Sequence, residues 1–215
     1  MNEQKNIIIF GDSYSTYEGW VPEDYKVYYT PKRKDAVVIN GVENTWWKRL
    51  AKKMNYNILL NNSYSGSTVC NTVRKGLPIG SSFINRLDKY IEDGFFKNNR
   101  LDTVFIFGGT NDSWVSSPVG EPKYSDINDE DKKHVLPAFC YMIEKLNEVA
   151  PNAQIVVIIN TNLKQSIFEG IINICQHYNV TSVILENIDK EIGHPTILGM
   201  KQIAEQIESN LTSAI

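Results

Sequence analysis

A serine hydroxyl is a poor nucleophile until a base removes its proton during attack, and histidine has the pKa suited to that work near neutrality. Ser13 stands in Gly11-Asp12-Ser13-Tyr14-Ser15, directly after the apolar run Ile7-Ile8-Ile9-Phe10, and His194 stands before Pro195 near the other end of the chain. The two could pair as nucleophile and base in acyl transfer. A tetrahedral intermediate also needs donors aimed at its oxyanion. The backbone N–H groups of Ser13 and Gly66 and the side-chain amide of Asn111 could supply them, each worth about 3 to 4 kcal/mol of barrier. Taken alone, a serine after a strand is most often a helix cap. What changes that reading is the company Ser13 keeps.

Short apolar runs alternate with amphipathic stretches through the whole chain, which predicts an α/β class with three α/β/α layers around a mainly parallel, five-stranded sheet. The strands are expected at Asn6 to Phe10, Asn57 to Asn61, Thr103 to Phe107, Gln154 to Ile159 and, more weakly, Ser182 to Leu185. Helical spacing is expected over Thr45 to Met54, Ser82 to Phe96, Asp129 to Val149, Lys164 to His177 and Thr196 to Leu211. Pro137 should sit at a bend or in a late first turn. In such sheets ligands bind beyond the carboxyl ends of the strands. There the sequence is polar: Gly11-Asp12-Ser13 after the first strand, Asn62 to Thr68 after the second, Gly108 to Asp112 after the third, and Asp189 to Pro195 after the fifth. Two long segments, Tyr17 to Val42 and Ser113 to Asn128, are expected to be loops. The first is rich in aromatics and is expected to form an ordered wall, with Tyr17, Trp20 and Trp46 of the next helix as candidate substrate contacts. Of the neighbours Trp46 and Trp47, at most one should face the core squarely.

These blocks, in order and each after an expected strand, resemble the SGNH hydrolase family, also called GDSL-type esterases, across essentially the whole length. The resemblance implies that family's flavodoxin-like fold and a serine esterase activity. It places the nucleophile at Ser13, oxyanion donors at Ser13, Gly66 in Ser65-Gly66-Ser67-Thr68 and Asn111 in Gly109-Thr110-Asn111-Asp112, and the base at His194. It also implies a structural role for Asp12, ordering the turn that opens with Ser13. The last block departs from the pattern. Where the family has an aspartate three residues before the histidine, this chain has Glu191, and Asp189 lies two residues earlier. Glu191, Asp189, or a dyad aided by a backbone carbonyl all remain open as the group behind His194.

The 215 residues, 42% of them hydrophobic, are enough for one domain over 1–215 with a full core. A net charge of -3 and scattered Lys and Arg exclude a phosphate-backbone field, so no nucleic-acid partner is expected. No run approaches the roughly 20 apolar residues of a membrane span. Cys70, Cys140 and Cys175, odd in number and widely spaced, read as buried hydrophobes, and neither metal nor organic cofactor is expected. The polar start suggests the cytoplasm as written, or a secreted or periplasmic protein if a signal peptide has been removed. The expected reaction is hydrolysis of small acyl esters, acetyl above all, on saccharides. The rivals are a lipase or thioesterase type of acyl hydrolase, a non-catalytic sugar-binding protein retaining the fold, and a metal phosphoesterase using Asp12, Asn111, Asp112 and His194.

Overall fold

The computed structural model describes residues 4–32 and 37–213. Five strands form one sheet: β1 (Lys5–Gly11), β2 (Tyr56–Ser63), β3 (Thr103–Phe107), β4 (Gln154–Ile159) and β5 (Thr181–Ile184), in the order β2-β1-β3-β4-β5. Every adjacent pair is parallel, and β1 and β2 shift register between Ile7 and Ile8. The strands are apolar runs because both faces of the sheet are covered. Side chains alternate across a strand. Ile8 and Phe10 therefore enter one core with Phe83, Leu87, Phe139 and Ile143, while Ile7 and Ile9 enter another with Trp46, Trp47, Leu50 and Ile203.

The helices supplying these cores are α1 (Trp46–Met54), α2 (Phe83–Glu92), the short α3 (Phe95–Asn98) and α4 (Thr110–Trp114), α5 (Val135–Val149), α6 (Gln165–His177) and α7 (Ile197–Ser213). Thr45 and Ser82 cap α1 and α2 through their side-chain oxygens. The expected helix over Ser82 to Phe96 is cut at Gly94, whose φ of 75° breaks the α run, and that over Asp129 to Val149 is cut by extended His134. Pro137 occupies the first turn of α5, where its missing N–H leaves no helical bond unmade. The Ser113 to Asn128 segment begins inside α4, so the expected loop is shorter. Within the aromatic loop Tyr17 bridges Tyr29, and residues 33–36 lie outside the described part. Among the described residues no helix is long and apolar enough to cross a membrane.

Besides the short α4, a hairpin is missing from the expectations. β6 (Lys190–Glu191) and β7 (His194–Pro195) form a two-stranded hairpin. Its two-residue turn, Ile192-Gly193, has φ of 49° and 75°, the double-positive pattern of a type I′ hairpin. An isoleucine in that region is uncommon, and nothing in composition announces it.

Candidate active site

The strand order reverses between β1 and β3, and the crevice of a doubly wound sheet opens at that point, outside the carboxyl ends. Ser13 follows β1 and Asn111 follows β3, so the fold itself brings them together. Beyond β1 the Asp12 side chain accepts the Tyr14 N–H at 2.9 Å and starts a single 3-10 turn over Ser13–Ser15. Gly11 is required by close approach: a Cβ there would meet Ser15 Cβ and Ser63 Oγ at 2.5 Å. The turn is then locked from behind. Trp46 Nε1 donates to Ser15 Oγ at 3.2 Å, and Trp47 Nε1 and Asn61 Nδ2 donate to the Ser15 carbonyl at 2.9 and 2.8 Å. Both indoles are fully buried, contrary to the expectation for neighbouring tryptophans, because Ser15 satisfies both N–H groups.

Ser13 Oγ lies 3.0 Å from Nε2 of His194. On the other side of the ring Nδ1 is 3.2 Å from the Ile192 carbonyl. A carbonyl only accepts, so this bond puts a proton on Nδ1 and leaves Nε2 with the lone pair that can take the serine proton. The position of the ring is set by aromatics. Tyr28 stacks on it at 3.6 Å between centroids and 5° between planes, and Trp114 meets it edge-on at 5.7 Å. Tyr14 OH donates to the Gly193 carbonyl and Tyr29 OH to the Pro195 carbonyl at 2.9 Å, so the backbone on both sides of His194 is tied to the core. Burial pushes both phenols well above their ordinary pKa, which keeps them donors.

The carboxylate candidates stand differently. Glu191 is paired directly opposite His194 across the hairpin, but the side chain is exposed and makes no hydrogen bond to the imidazole. Asp189 accepts the Thr196 hydroxyl at the start of α7. Neither is brought onto Nδ1.

Gly66 has φ of 87°, and Asn111 is buried at the start of α4; both line the cleft with Ser13 and His194. Asn111 Nδ2 donates to Asp12 Oδ2 at 3.3 Å, which fixes the amide by one of its two hydrogens. The Asp12 carboxyl is pushed up to about 7, first by burial and further by Asp112, against the opposing pull of the Tyr14 N–H, Arg86 and Lys190. Asp112 faces away from the cleft, toward the Val69 and Cys70 N–H groups. Asp12 and Asp112 are thus committed to backbone and amide partners. Among the described residues no group of three or more His, Cys, Asp or Glu is arranged to hold a metal. Cys70 is buried against Asp112, and its thiol is pushed up to about 12 by burial.

The candidate wall is redrawn. Tyr17 and Trp46 are core residues, and Trp20 is turned to Trp47 and Lys48 on the outside of α1; none of the three borders the cleft. Tyr28 and Trp114 take that place. Sequence reasoning also passed over Arg86. It is buried, and donates to the carbonyls of Ser81 at 3.0 Å and Gly11 at 3.1 Å, to Asn62 Oδ1 at 2.9 Å, to Ser67 Oγ at 3.2 Å and to the Asn62 carbonyl. It ties the ends of β1 and β2 to the Gly66 loop. Its signal was available: on α2 it falls one helical turn from Phe83, on the apolar face.

The GDSL-like lipase/acylhydrolase family profile matches residues 5–211. The chain belongs to that family. Among solved structures it is similar to proteins described as GDSL-like lipases from Bacteroides ovatus (38% identity, 99% of this chain and 100% of that one, TM-score 0.89) and Bacteroides uniformis (36%, 99% and 97%, 0.89). The fold is shared more distantly with Est2A, an acetyl xylan esterase from Butyrivibrio proteoclasticus (19% identity, 98% of this chain and 64% of that one, TM-score 0.62). No curated protein matches significantly. As a GDSL-like lipase/esterase, this protein is a carboxylic ester hydrolase.

Proposed function

We propose that this GDSL-like esterase removes small acyl groups, acetyl above all, from saccharides through an acyl-Ser13 intermediate. The observation that carries the reading is the 3.0 Å contact of Ser13 Oγ with His194 Nε2 at the base of an open cleft of 420 Å³. Nε2 takes the hydroxyl proton as Oγ bonds to the acyl carbon. The Ser13 and Gly66 N–H groups and Asn111 Nδ2 hold the oxyanion, and the imidazolium returns its proton to the departing sugar oxygen. Water, deprotonated by the same Nε2, then releases the acid and restores Ser13.

The acyl group is small because the cleft offers no apolar trough. Val27 and Leu77 are the aliphatic side chains among its described lining, which is otherwise polar, charged or aromatic apart from two glycines. The rings of Tyr28 and Trp114 beside His194 give a sugar two aromatic faces or edges to meet. In support, the distant fold relatives include an acetyl xylan esterase. The test compares nitrophenyl acetate with nitrophenyl octanoate for wild type and Ser13→Ala, with a fluorophosphonate label on each. We expect the acetyl ester to be preferred, and the variant to lose at least about a thousandfold in kcat and all labelling. Equal rates for wild type and Ser13→Ala overturn the mechanism.

A further inference from the structure

Taking the hydrolase reading as its starting point, we infer that the substrate is an anionic saccharide ester, whose carboxylate or sulfate is received by Arg74, Lys75 and Lys26 at the rim of the Ser13 cleft. The whole chain is acidic, with 25 Asp and Glu against 22 Lys and Arg. The cleft reverses that balance. Lys26, Arg74 and Lys75 line it, and among the described residues no Asp or Glu does.

These cations are not spent on the protein. Among the described residues no ion pair or side-chain hydrogen bond engages any of the three, whereas eight other ion pairs take up basic residues elsewhere, each with an acidic partner. The backbone beneath them is nevertheless fixed. The Leu77 N–H donates to the Arg74 carbonyl at 3.0 Å, closing a turn that Gly76 permits with φ of 87°. The Ser65 N–H donates to the Lys26 carbonyl at 2.8 Å, which clamps Lys26 to the residue before Gly66.

Their place relative to the reacting atoms is also defined. A methyl group built on Gly66 would sit 3.9 Å from Arg74 Nη1, so the guanidinium stands one small group away from a proposed oxyanion donor. A fork of N–H donors there matches a carboxylate or sulfate on the sugar that bears the ester. A neutral sugar would leave all three cations facing water. An anionic one gains both a directed pair at Arg74 and the field of the two lysines, which in a cleft concentrates the substrate before it binds.

The test uses acetyl esters of methyl glucoside, methyl glucuronate and methyl glucoside 6-sulfate, with wild type and the triple variant Lys26→Gln/Arg74→Gln/Lys75→Gln. At about 0.02 M salt we expect wild-type kcat/KM to favour at least one anionic ester by about tenfold, and the better of the two names the group. The preference falls to about one in the triple variant and shrinks by several-fold at about 0.5 M salt, where exposed charges are screened. A wild-type preference near one for both anionic esters, or one that the triple variant keeps, overturns the inference. Calorimetric titration of Ser13→Ala with the same compounds separates this from the reading it rests on. If no ester is turned over, the hydrolase mechanism fails, and binding of the anionic sugar no tighter than the neutral one by the Ser13→Ala protein overturns the cationic subsite independently.

Discussion

Asp12→Asn should make the protein more stable above neutrality and less active. Asp12 is 1% exposed, and burial raises its carboxyl from 3.8 to about 7. In the unfolded chain the group ionises near its ordinary value, so between pH 4 and 7 the folded state holds the proton that the unfolded state has released. A raised folded pKa contributes stability that is fully present below the unfolded value and lost as pH rises through the folded one. Each pH unit of difference is worth about 1.4 kcal/mol, and the span from 3.8 to about 7 therefore costs the wild type of the order of 4 kcal/mol by pH 8. Asparagine has the same shape and keeps an oxygen for the Tyr14 N–H, but it carries no charge to desolvate.

The assay is urea denaturation followed by tryptophan fluorescence, at intervals from about pH 4 to 8, for both proteins. The variant's advantage should be near zero at the acid end and grow by up to about 1.4 kcal/mol per unit through the window. Two parallel stability curves would refute the reasoning, since they would mean that Asp12 titrates alike folded and unfolded. The activity change follows from the same contact. Asn111 Oδ1 is buried without a partner, while its Nδ2 is held by Asp12. An amide at position 12 offers an N–H where the carboxylate offered an oxygen, and so favours the flipped Asn111. The flip takes Nδ2 away from the place where the proposed mechanism needs a donor. The loss of one such donor predicts a fall in kcat of about a hundredfold or more.

Arg86→Met removes a buried cation whose guanidinium is lowered to about 10 by burial and which donates to the carbonyls of Gly11, Asn62 and Ser81. Those carbonyls would be left short of donors, and the expected loss is about 3 to 5 kcal/mol in urea titration, against less than about 1 if the arginine merely fills space. Lys190→Met cuts the tether from the His194 hairpin to Asn160 Oδ1 at 3.0 Å and Thr161 Oγ1 at 2.5 Å. Burial lowers this ammonium to about 8, so its removal should cost little stability near neutrality while kcat falls about tenfold with KM little changed. An unchanged kcat would show that the hairpin holds its place without the lysine.

How far the sequence could be read follows the range over which each physical cause acts. The strands β3 and β4 lie within the residues expected for them, because an apolar run of that length between polar ends carries its own burial requirement. Ser13, Gly66, Asn111 and His194 share one edge because parallel strands all deliver their ends to the same side of the sheet, so the topology follows once the alternation is read. What escaped depends on partners distant in the chain. Trp46 and Trp47 are both buried only because Ser15, about thirty residues earlier, has two oxygens to offer them. Trp20 stays outside and Tyr28 reaches His194, although both belong to the same aromatic loop and composition treats them alike.

The uncertainty over Glu191 and Asp189 has the same origin. Spacing alone leaves Glu191 on one turn with His194 and Asp189 on a wider loop, whereas a type I′ turn at Ile192-Gly193 makes Glu191 the residue directly across from His194 and brings the Ile192 carbonyl to Nδ1. That turn puts β-branched Ile192 at positive φ, a conformation local preference argues against. The strain has compensation nearby: the Gly193 carbonyl is held by the Tyr14 hydroxyl, the Pro195 carbonyl by that of Tyr29, and Lys190 is anchored beyond β4. Three tethers from the core hold a hairpin with a turn residue that would not choose its own conformation. His194 is thereby presented to Ser13 by the tertiary structure, and the groups that orient its ring are not spelled out in the last block.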